Sequence, residues 1–104
     1  MNERFAVIEG VVGSDALGLS VHRHSDDGRH LACIGLRDDS RLIWQEIEMS
    51  QEQVGQFERV LVSGNTVRVS GLLKKQLGLP VCRVQVEGIQ LIRATEPVAL
   101  RMAA

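Results

Sequence analysis

The chain of 104 residues lacks long apolar runs, has few cysteines and has no excess of positive charge. It has no long apolar run, so we predict no membrane-spanning helix. No apolar leader segment follows Met1, so we expect a cytoplasmic protein. Two cysteines are too few for a disulfide scaffold, and Cys33 and Cys82 lie in apolar runs, which predicts reduced and buried thiols. Lysine plus arginine (12) nearly balance aspartate plus glutamate (13), so no overall basic charge points to nucleic acid.

Patterns typical of catalysis are also missing. We find no Ser/His/Asp or Cys/His arrangement, no phosphate-binding glycine loop and no inward carboxylate pair, so we expect no enzyme and no cofactor. Histidines and acids do cluster around one predicted hairpin, at His22, His24, Asp26, Asp27 and His30. They could bind Zn²⁺, but an exposed polar hairpin explains them equally well, so we predict no metal site.

The apolar residues that are present alternate with polar ones, as in β-strands. Five segments show this pattern: residues 5–12 (resuming at 19–22), 30–37, 42–49, 66–75 and 81–92. Gly10 predicts a bend that lets the first strand join two sheets, and Gly88 predicts a bulge in the last strand. The Asp-Gly pair at residues 27–28 predicts a hairpin turn.

One helix is predicted between the third and fourth strands, where the apolar period changes from 2 to 3.6. Ser50 and Gln53 fit a capping box, and Gly64 fits a helix end. The apolar stripe on this helix of about three turns is Val54, Phe57 and Leu61. The order β-β-β-α-β-β predicts an all-β OB-fold, a five-stranded Greek-key barrel with one short helix, although an α+β sandwich would show similar periodicity. We assign residues 1–94 to this domain and residues 95–104 to a C-terminal tail.

Five motifs stand in an order that resembles a known family. They are the glycine-containing run 4–12, the hairpin 24–28 with strand 31–36, the strand 44–49 that begins with a tryptophan, the strand 64–73 and the strand 88–92. Together, over roughly residues 4–93, they resemble bacterial single-stranded DNA-binding proteins. The resemblance implies an OB-fold and binding of single-stranded DNA.

Within that superfamily the chain is most similar to primosomal replication protein N, because it lacks a long tail with an acidic tip. That family implies a homodimer which helps to reload the replication helicase. The chain departs from the family at its hairpin, where Ser25-Asp26-Asp27-Gly28 replaces Ser-Pro-x-Gly or Thr-Pro-x-Gly. The loop at residues 75–80 is also shorter and poorer in lysine than the family pattern.

Charge is unevenly distributed along the chain. Residues 38–58 hold six acids and one base, whereas residues 66–93 hold five bases and one acid. A groove for single-stranded DNA needs cations for the phosphates and an aromatic plane for the bases. We predict that this site consists of Trp44, Arg23, Arg37, Lys74, Lys75 and Arg83. The other interpretation makes Trp44 a core or dimer-interface residue and the bases a solvated edge; Glu46 and Glu48 beside Trp44 would repel phosphate.

Two functions follow from these observations. The first is a non-catalytic, single-stranded DNA-binding accessory factor in DNA replication or replication restart. It would act as a homodimer, away from membranes, with replication proteins such as the helicase-loading machinery as partners. The alternative is an OB-fold adaptor that contacts proteins and does not bind nucleic acid. The near-neutral charge, the missing tyrosine and the acidic segment 38–58 favour this alternative.

Overall fold

The structure, a computed structural model, describes residues 4–23, 28–75 and 82–95. Its elements are β1 (Arg4–Val12), β2 (His22–Arg23), β3 (His30–Asp38), β4 (Arg41–Met49), α1 (Gln51–Phe57), β5 (Thr66–Lys75) and β6 (Cys82–Arg93). The predicted hairpin residues 24–27, the loop 76–80 and the tail from residue 96 lie outside the described residues. No helix in the described part of the chain is long and apolar enough to cross a membrane.

Five strands close into a barrel. The sheet order is β1-β5-β6-β4-β3, and β1 pairs with β3 as well, through Val11 and Val12. The strand β4 pairs with β6 in parallel, and the other pairings of the described strands are antiparallel. This arrangement confirms the predicted OB-fold. The two-residue strand β2 is added outside the barrel, against β3.

Closure of the barrel depends on Gly10. This glycine lies where β1 leaves β5 and approaches β3. A Cβ at Gly10 would overlap the backbone carbonyl oxygen of Gly35. Since only glycine permits so close an approach of two backbones, the prediction that the first strand takes part in both sheets is confirmed.

The last strand contains a bulge, as predicted, next to Gly88. In the register of β5 with β6, Ser70 lies opposite Gly88 but Gly71 lies opposite Val86. Glu87 is therefore the extra residue. A bulge bends its strand and increases its twist, which helps β6 to reach both β5 and β4.

The strand predicted to resume at residues 19–22 is mostly wrong: only His22 of that segment is in a strand, followed by Arg23. The reason is a local turn fixed by Asp15. Its carboxylate accepts hydrogen bonds from the backbone N–H of Leu17 (2.9 Å) and of Leu19 (2.8 Å). The Leu19 carbonyl in turn accepts from the Asp15 N–H at 2.8 Å, so both backbone groups of Leu19 are used within the turn.

The helix begins as predicted but ends early. The Ser50 hydroxyl accepts from the Gln53 N–H at 3.2 Å, and the Gln53 side chain accepts from the Ser50 N–H at 3.0 Å, which confirms the capping box. The helix then has 7 residues, about two turns instead of three. Val60 and Leu61 both donate to the Phe57 carbonyl, so the chain tightens into a turn there. The apolar stripe is nevertheless correct, because Phe57 and Leu61 are buried.

One face of each long strand forms the core. Its buried members are Val12, Ala32, Ile34, Ile47, Met49, Phe57, Leu61, Val67, Val69, Val84 and Val86. The prediction of buried core cysteines is wrong, since Cys33 and Cys82 are both only half-buried; both thiols are free. Cys33 lies between the core residues Ala32 and Ile34, so alternation places it on the outer face of the barrel.

Candidate functional site on the outer face of the barrel

The outer face of β3 and β4 brings the predicted tryptophan together with an arginine. In the antiparallel register Trp44 lies opposite Gly35, and Leu42 lies opposite Arg37. Ile47 and Met49 point into the core, so alternation places Leu42 and Trp44 outside. Trp44 is 53% exposed, which excludes the interpretation of Trp44 as a core residue. We call this surface, made of Arg37, Leu42 and Trp44, the Trp44 face.

Two glycines form a seat for the indole ring. A Cβ on Gly13 would lie 2.6 Å from Cζ3 of Trp44, and a Cβ on Gly35 would lie 3.0 Å from the same atom. The ring therefore packs against backbone on one side. Only glycine fits at these two positions without moving the ring, because 2.6 Å is well inside van der Waals contact. Sequence reasoning missed this seat; for Gly35, its position opposite a tryptophan in the predicted hairpin is a signal that could have found it.

The predicted cations do not all join the Trp44 face. Arg37 does, since it is exposed and lies two residues beyond Gly35 on the same side of β3. Arg23 lies opposite His30, which is on the core-facing side of β3, so alternation places Arg23 on the other face of the sheet from Trp44. The Arg23 guanidinium lies close to Gly28 instead.

The remaining cations lie on β5 and β6. Lys74 lies opposite Arg83 and is half-buried. Lys75 ends β5, and its side chain is outside the described part of the chain. The Arg83 side chain is only 7% exposed, and its Nε lies 3.4 Å from Oε1 of Glu46. Arg83 therefore already contacts an anion of the protein, and its predicted role as a phosphate ligand stays a prediction.

The two glutamates beside Trp44 are both paired. Glu46 contacts Arg83, and Oε2 of Glu48 lies 3.5 Å from Nε of Arg29. Glu48 is almost fully buried, although it lies on the outer face of β4. Because each carboxylate lies against a guanidinium, the two repel an approaching phosphate less than two free acids would. The same pairing also reduces the positive charge of this surface.

A small cavity of about 60 Å³ adjoins the Trp44 face. Its lining residues are Gly13, Ser14, Asp15, Leu19, Ser20, His22 and Cys33. Burial, and secondly the Glu46 carboxylate nearby, raise the pKa of the Cys33 thiol above its ordinary value. The described residues hold no group of three or more histidines, cysteines or acids able to bind a metal. His24, Asp26 and Asp27, which the zinc alternative needs, lie outside them.

Comparison with known proteins gives matches among solved structures. The sequence matches no protein-family model and no curated protein. The mitochondrial single-stranded DNA-binding protein Rim1 of S. cerevisiae superposes with a TM-score of 0.71 at 16% identity, covering 92% of this chain and 100% of that one.

Two bacterial structures are also similar. The small single-stranded DNA-binding protein of Streptomyces coelicolor gives a TM-score of 0.61 at 18% identity, covering 88% of this chain and 94% of that one. The second single-stranded DNA-binding protein of Mycobacterium smegmatis gives a TM-score of 0.60 at 14% identity, covering 91% of this chain and 99% of that one. At these identities the similarity supports one conclusion, that the chain has the OB-fold of these proteins.

Proposed function

We propose that this protein binds single-stranded DNA, without catalysis, as a member of the single-stranded DNA-binding superfamily. The observation that carries the proposal is the half-exposed indole of Trp44, held on two glycines with Arg37 on the same face. Such a plane beside a cation is what successive bases and phosphates need. The names of the similar structures, from yeast mitochondria and from two bacteria, support the same activity.

The bound strand would contact the Trp44 face through stacking and charge. A base stacked on an aromatic ring contributes about 1–3 kcal/mol, and Arg37 would contact a neighbouring phosphate. Lys74 and Lys75, at the end of β5, would extend the path of the backbone. Arg23, on the other face, and Arg83, paired with Glu46, would contribute less than the sequence alone predicts. One tryptophan and few cations imply modest affinity.

Dimerisation would double this site. One edge of β1 pairs with β5, but on the other edge only Val11 and Val12 pair with a described strand. We call the remaining segment, residues 4–10, the β1 edge. Its outward side chains include Phe5, 64% exposed, and Val7, 56% exposed. An unpaired edge with exposed apolar residues is typical of a surface that a second strand covers, so we propose that two copies associate through it.

In the cell we propose an accessory role in DNA replication or replication restart. The support is the sequence resemblance to primosomal replication protein N, which also favours a cytoplasmic homodimer and a helicase-loading partner. In this proposal residues 1–94 form the binding domain and residues 95–104 the tail. Thr95, the first residue of that tail, still donates its N–H to Oδ1 of Asn65 at 2.8 Å.

The test uses the one tryptophan as its own probe. Titration with oligo-dT at low and at moderate salt should quench Trp44 fluorescence to a plateau, and the affinity should fall with salt. In an anisotropy assay with labelled oligo-dT, Trp44→Ala should weaken binding by roughly 5- to 150-fold, the equivalent of about 1–3 kcal/mol. Trp44→Phe, which keeps an aromatic plane, is the matched control and should lose much less.

A second candidate function is the protein adaptor without nucleic-acid binding. It is favoured by three arginines of the described residues that contact glutamates: Arg29, Arg68 and Arg83. Pairing of this kind lowers the positive charge available to phosphates. A flat fluorescence titration together with flat anisotropy at micromolar protein would contradict DNA binding and favour the adaptor.

A further inference from the structure

Two glutamate–arginine pairs on the barrel differ sharply in burial. In the pair of Glu9 with Arg68, at 3.2 Å, both side chains are about half exposed. In the pair of Glu46 with Arg83, the guanidinium is 7% exposed and the carboxylate 38%. The Glu46 carboxylate is thus the part of its pair that faces solvent, and it lies over an arginine that is otherwise enclosed by the protein.

Glu46 is also close to the Trp44 face. It is the next outward residue after Trp44 on β4, about 7 Å further along the strand. It lies next to Arg83 of the neighbouring strand β6, and Arg83 lies opposite Lys74. A DNA strand that stacks on Trp44 and continues towards Lys74 therefore passes over Glu46.

We propose that the Glu46 carboxylate occupies, on the Arg83 guanidinium, the place that a DNA phosphate would take, and so limits the affinity of the site. The inference rests on the proposed binding of single-stranded DNA. Carboxylate and phosphate oxygens are both acceptors that fit the planar donors of arginine, so one can stand in for the other. Glu46 acts through Arg83, as a positioning residue that determines how many phosphates the protein neutralises.

The test compares Glu46→Ala with Glu9→Ala. Both variants remove one negative charge and one arginine partner from the outer surface, but only the first lies beside Trp44. Affinity for labelled oligo-dT is measured by anisotropy over a series of salt concentrations. Without Glu46, Arg83 should contact one more phosphate. Glu46→Ala should therefore bind oligo-dT about fivefold more tightly at low salt. A plot of the logarithm of its binding constant against the logarithm of the salt concentration should be steeper by about 0.7, the contribution of one phosphate. Glu9→Ala should keep the wild-type slope.

Two more variants distinguish the proposed effect on DNA binding from a loss of fold in Glu46→Ala. Removing one partner of a buried pair leaves a charge uncompensated and can destabilise the fold, although Arg83 keeps its further interactions. Glu46→Gln keeps the shape of the side chain without its charge, and should bind more tightly than wild type. The double variant Glu46→Ala with Arg83→Met should return to the wild-type slope. Circular dichroism of each variant verifies the fold.

The outcomes separate this inference from the proposed function. Binding of oligo-dT by the wild type tests the function alone. If the wild type binds but Glu46→Ala keeps its slope, binds more weakly, or changes no more than Glu9→Ala, the inference is overturned and the function stands. If only Glu46→Ala binds, the function of the native chain fails and the inference stands. If neither binds, both fail.

Discussion

The Trp44 face and the β1 edge are both exposed and apolar, but they offer different chemistry. The Trp44 face has a flat ring packed on glycine backbone, with Arg37 beside it, and it lies on two strands, β3 and β4, that pair with each other along their whole length. The β1 edge has alternating apolar side chains, and its backbone lacks a described strand partner on one side. Aromatic planes and cations suit bases and phosphates, whereas unpaired backbone suits another strand.

The comparison shows that exposed apolar area alone does not identify a ligand. The side chains and the way they are held make the distinction, because the Trp44 ring packs on glycine backbone beside Arg37, whereas Phe5 and Val7 alternate along a strand. β4 pairs with β3 along its whole length, but it pairs with β6 only at Ile47 and Glu48. Residues 41–46 therefore also have one edge without a described strand partner, as the β1 edge has, and the backbone alone does not separate the two regions. Variants that affect the two regions separately, or both at once, test this distinction.

The largest effect is expected at Gly10, on which both regions depend because it lets β1 meet β3. Gly10→Val should lower the free energy of unfolding by about 3 kcal/mol or more, since the new side chain overlaps the Gly35 carbonyl and Ile34. Urea denaturation, monitored by circular dichroism, measures the free energy of unfolding.

A second glycine gives the control for Gly10. Gly55 lies in α1, and a Cβ there meets no atom within 4 Å. Gly55→Ala should raise the free energy of unfolding by about 0.5–1 kcal/mol, because alanine favours helix. Equal stabilities of Gly10→Val and wild type would contradict our account of barrel closure.

A smaller effect is expected at Val7 of the β1 edge. Val7→Asp would place a charge in the proposed dimer interface at a cost of about 2 kcal/mol, which raises the dimer dissociation constant roughly 30-fold. Sedimentation equilibrium measures the change. Binding of a short oligo-dT per protomer should stay the same, since Trp44 is on another part of the barrel.

Val62 provides the matched control for Val7. It is 45% exposed and lies outside the β1 edge, so Val62→Asp should leave the dissociation constant unchanged. The proposed interface would be wrong if both aspartate variants had the wild-type mass distribution. Loss of oligo-dT binding in Val7→Asp alone would show that the two regions are not independent.

The smallest effect concerns Cys33, half-buried beside the Trp44 face. Its raised pKa keeps the thiol protonated, so iodoacetamide should alkylate Cys33 at pH 8 more slowly than an exposed cysteine. Glu46→Gln removes the second cause of the raised pKa and should speed alkylation. Mass spectrometry of the Cys33 peptide over time measures both rates; an unchanged rate in Glu46→Gln would contradict the contribution of Glu46.

The same pKa gives a pH dependence of stability. The folded thiol has a higher pKa than the unfolded one, so its stabilising contribution is complete below the unfolded pKa. That contribution is lost as the pH rises through the folded pKa. Cys33→Ser should therefore flatten the loss of stability at alkaline pH, measured by urea denaturation.

Most of the barrel could be predicted from the sequence because its signals are local. Alternation located the long strands, and Thr66–Lys75 agrees residue for residue. The capping box depends on residues three apart. The errors have non-local or competing causes. The Asp15 turn replaces strand at Leu19. Residues 31–36 form one apolar run, so the sequence pattern does not show that Cys33 faces outward.

The candidate site was harder to predict than the fold. Trp44 could be singled out because it stands on the more polar side of its strand. The ion pair of Arg83 with Glu46 could not be predicted, because the two residues are 37 apart in sequence. They come together only through the parallel register of β4 with β6. The glycine seat likewise depends on Gly13, which approaches Trp44 from a different part of the chain.

The capping residue Gln53 has a consequence beyond the helix. While its Oε1 accepts from Ser50, its Nε2 donates to the Val86 carbonyl of β6 at 2.7 Å. Val86 is the last residue of β6 before the extra residue of the bulge. A slip of β6 by one residue would therefore break the contact with Gln53 and turn the core valines outward at the same time. The first turn of the helix therefore stabilises only the correct register of the closing strand β6.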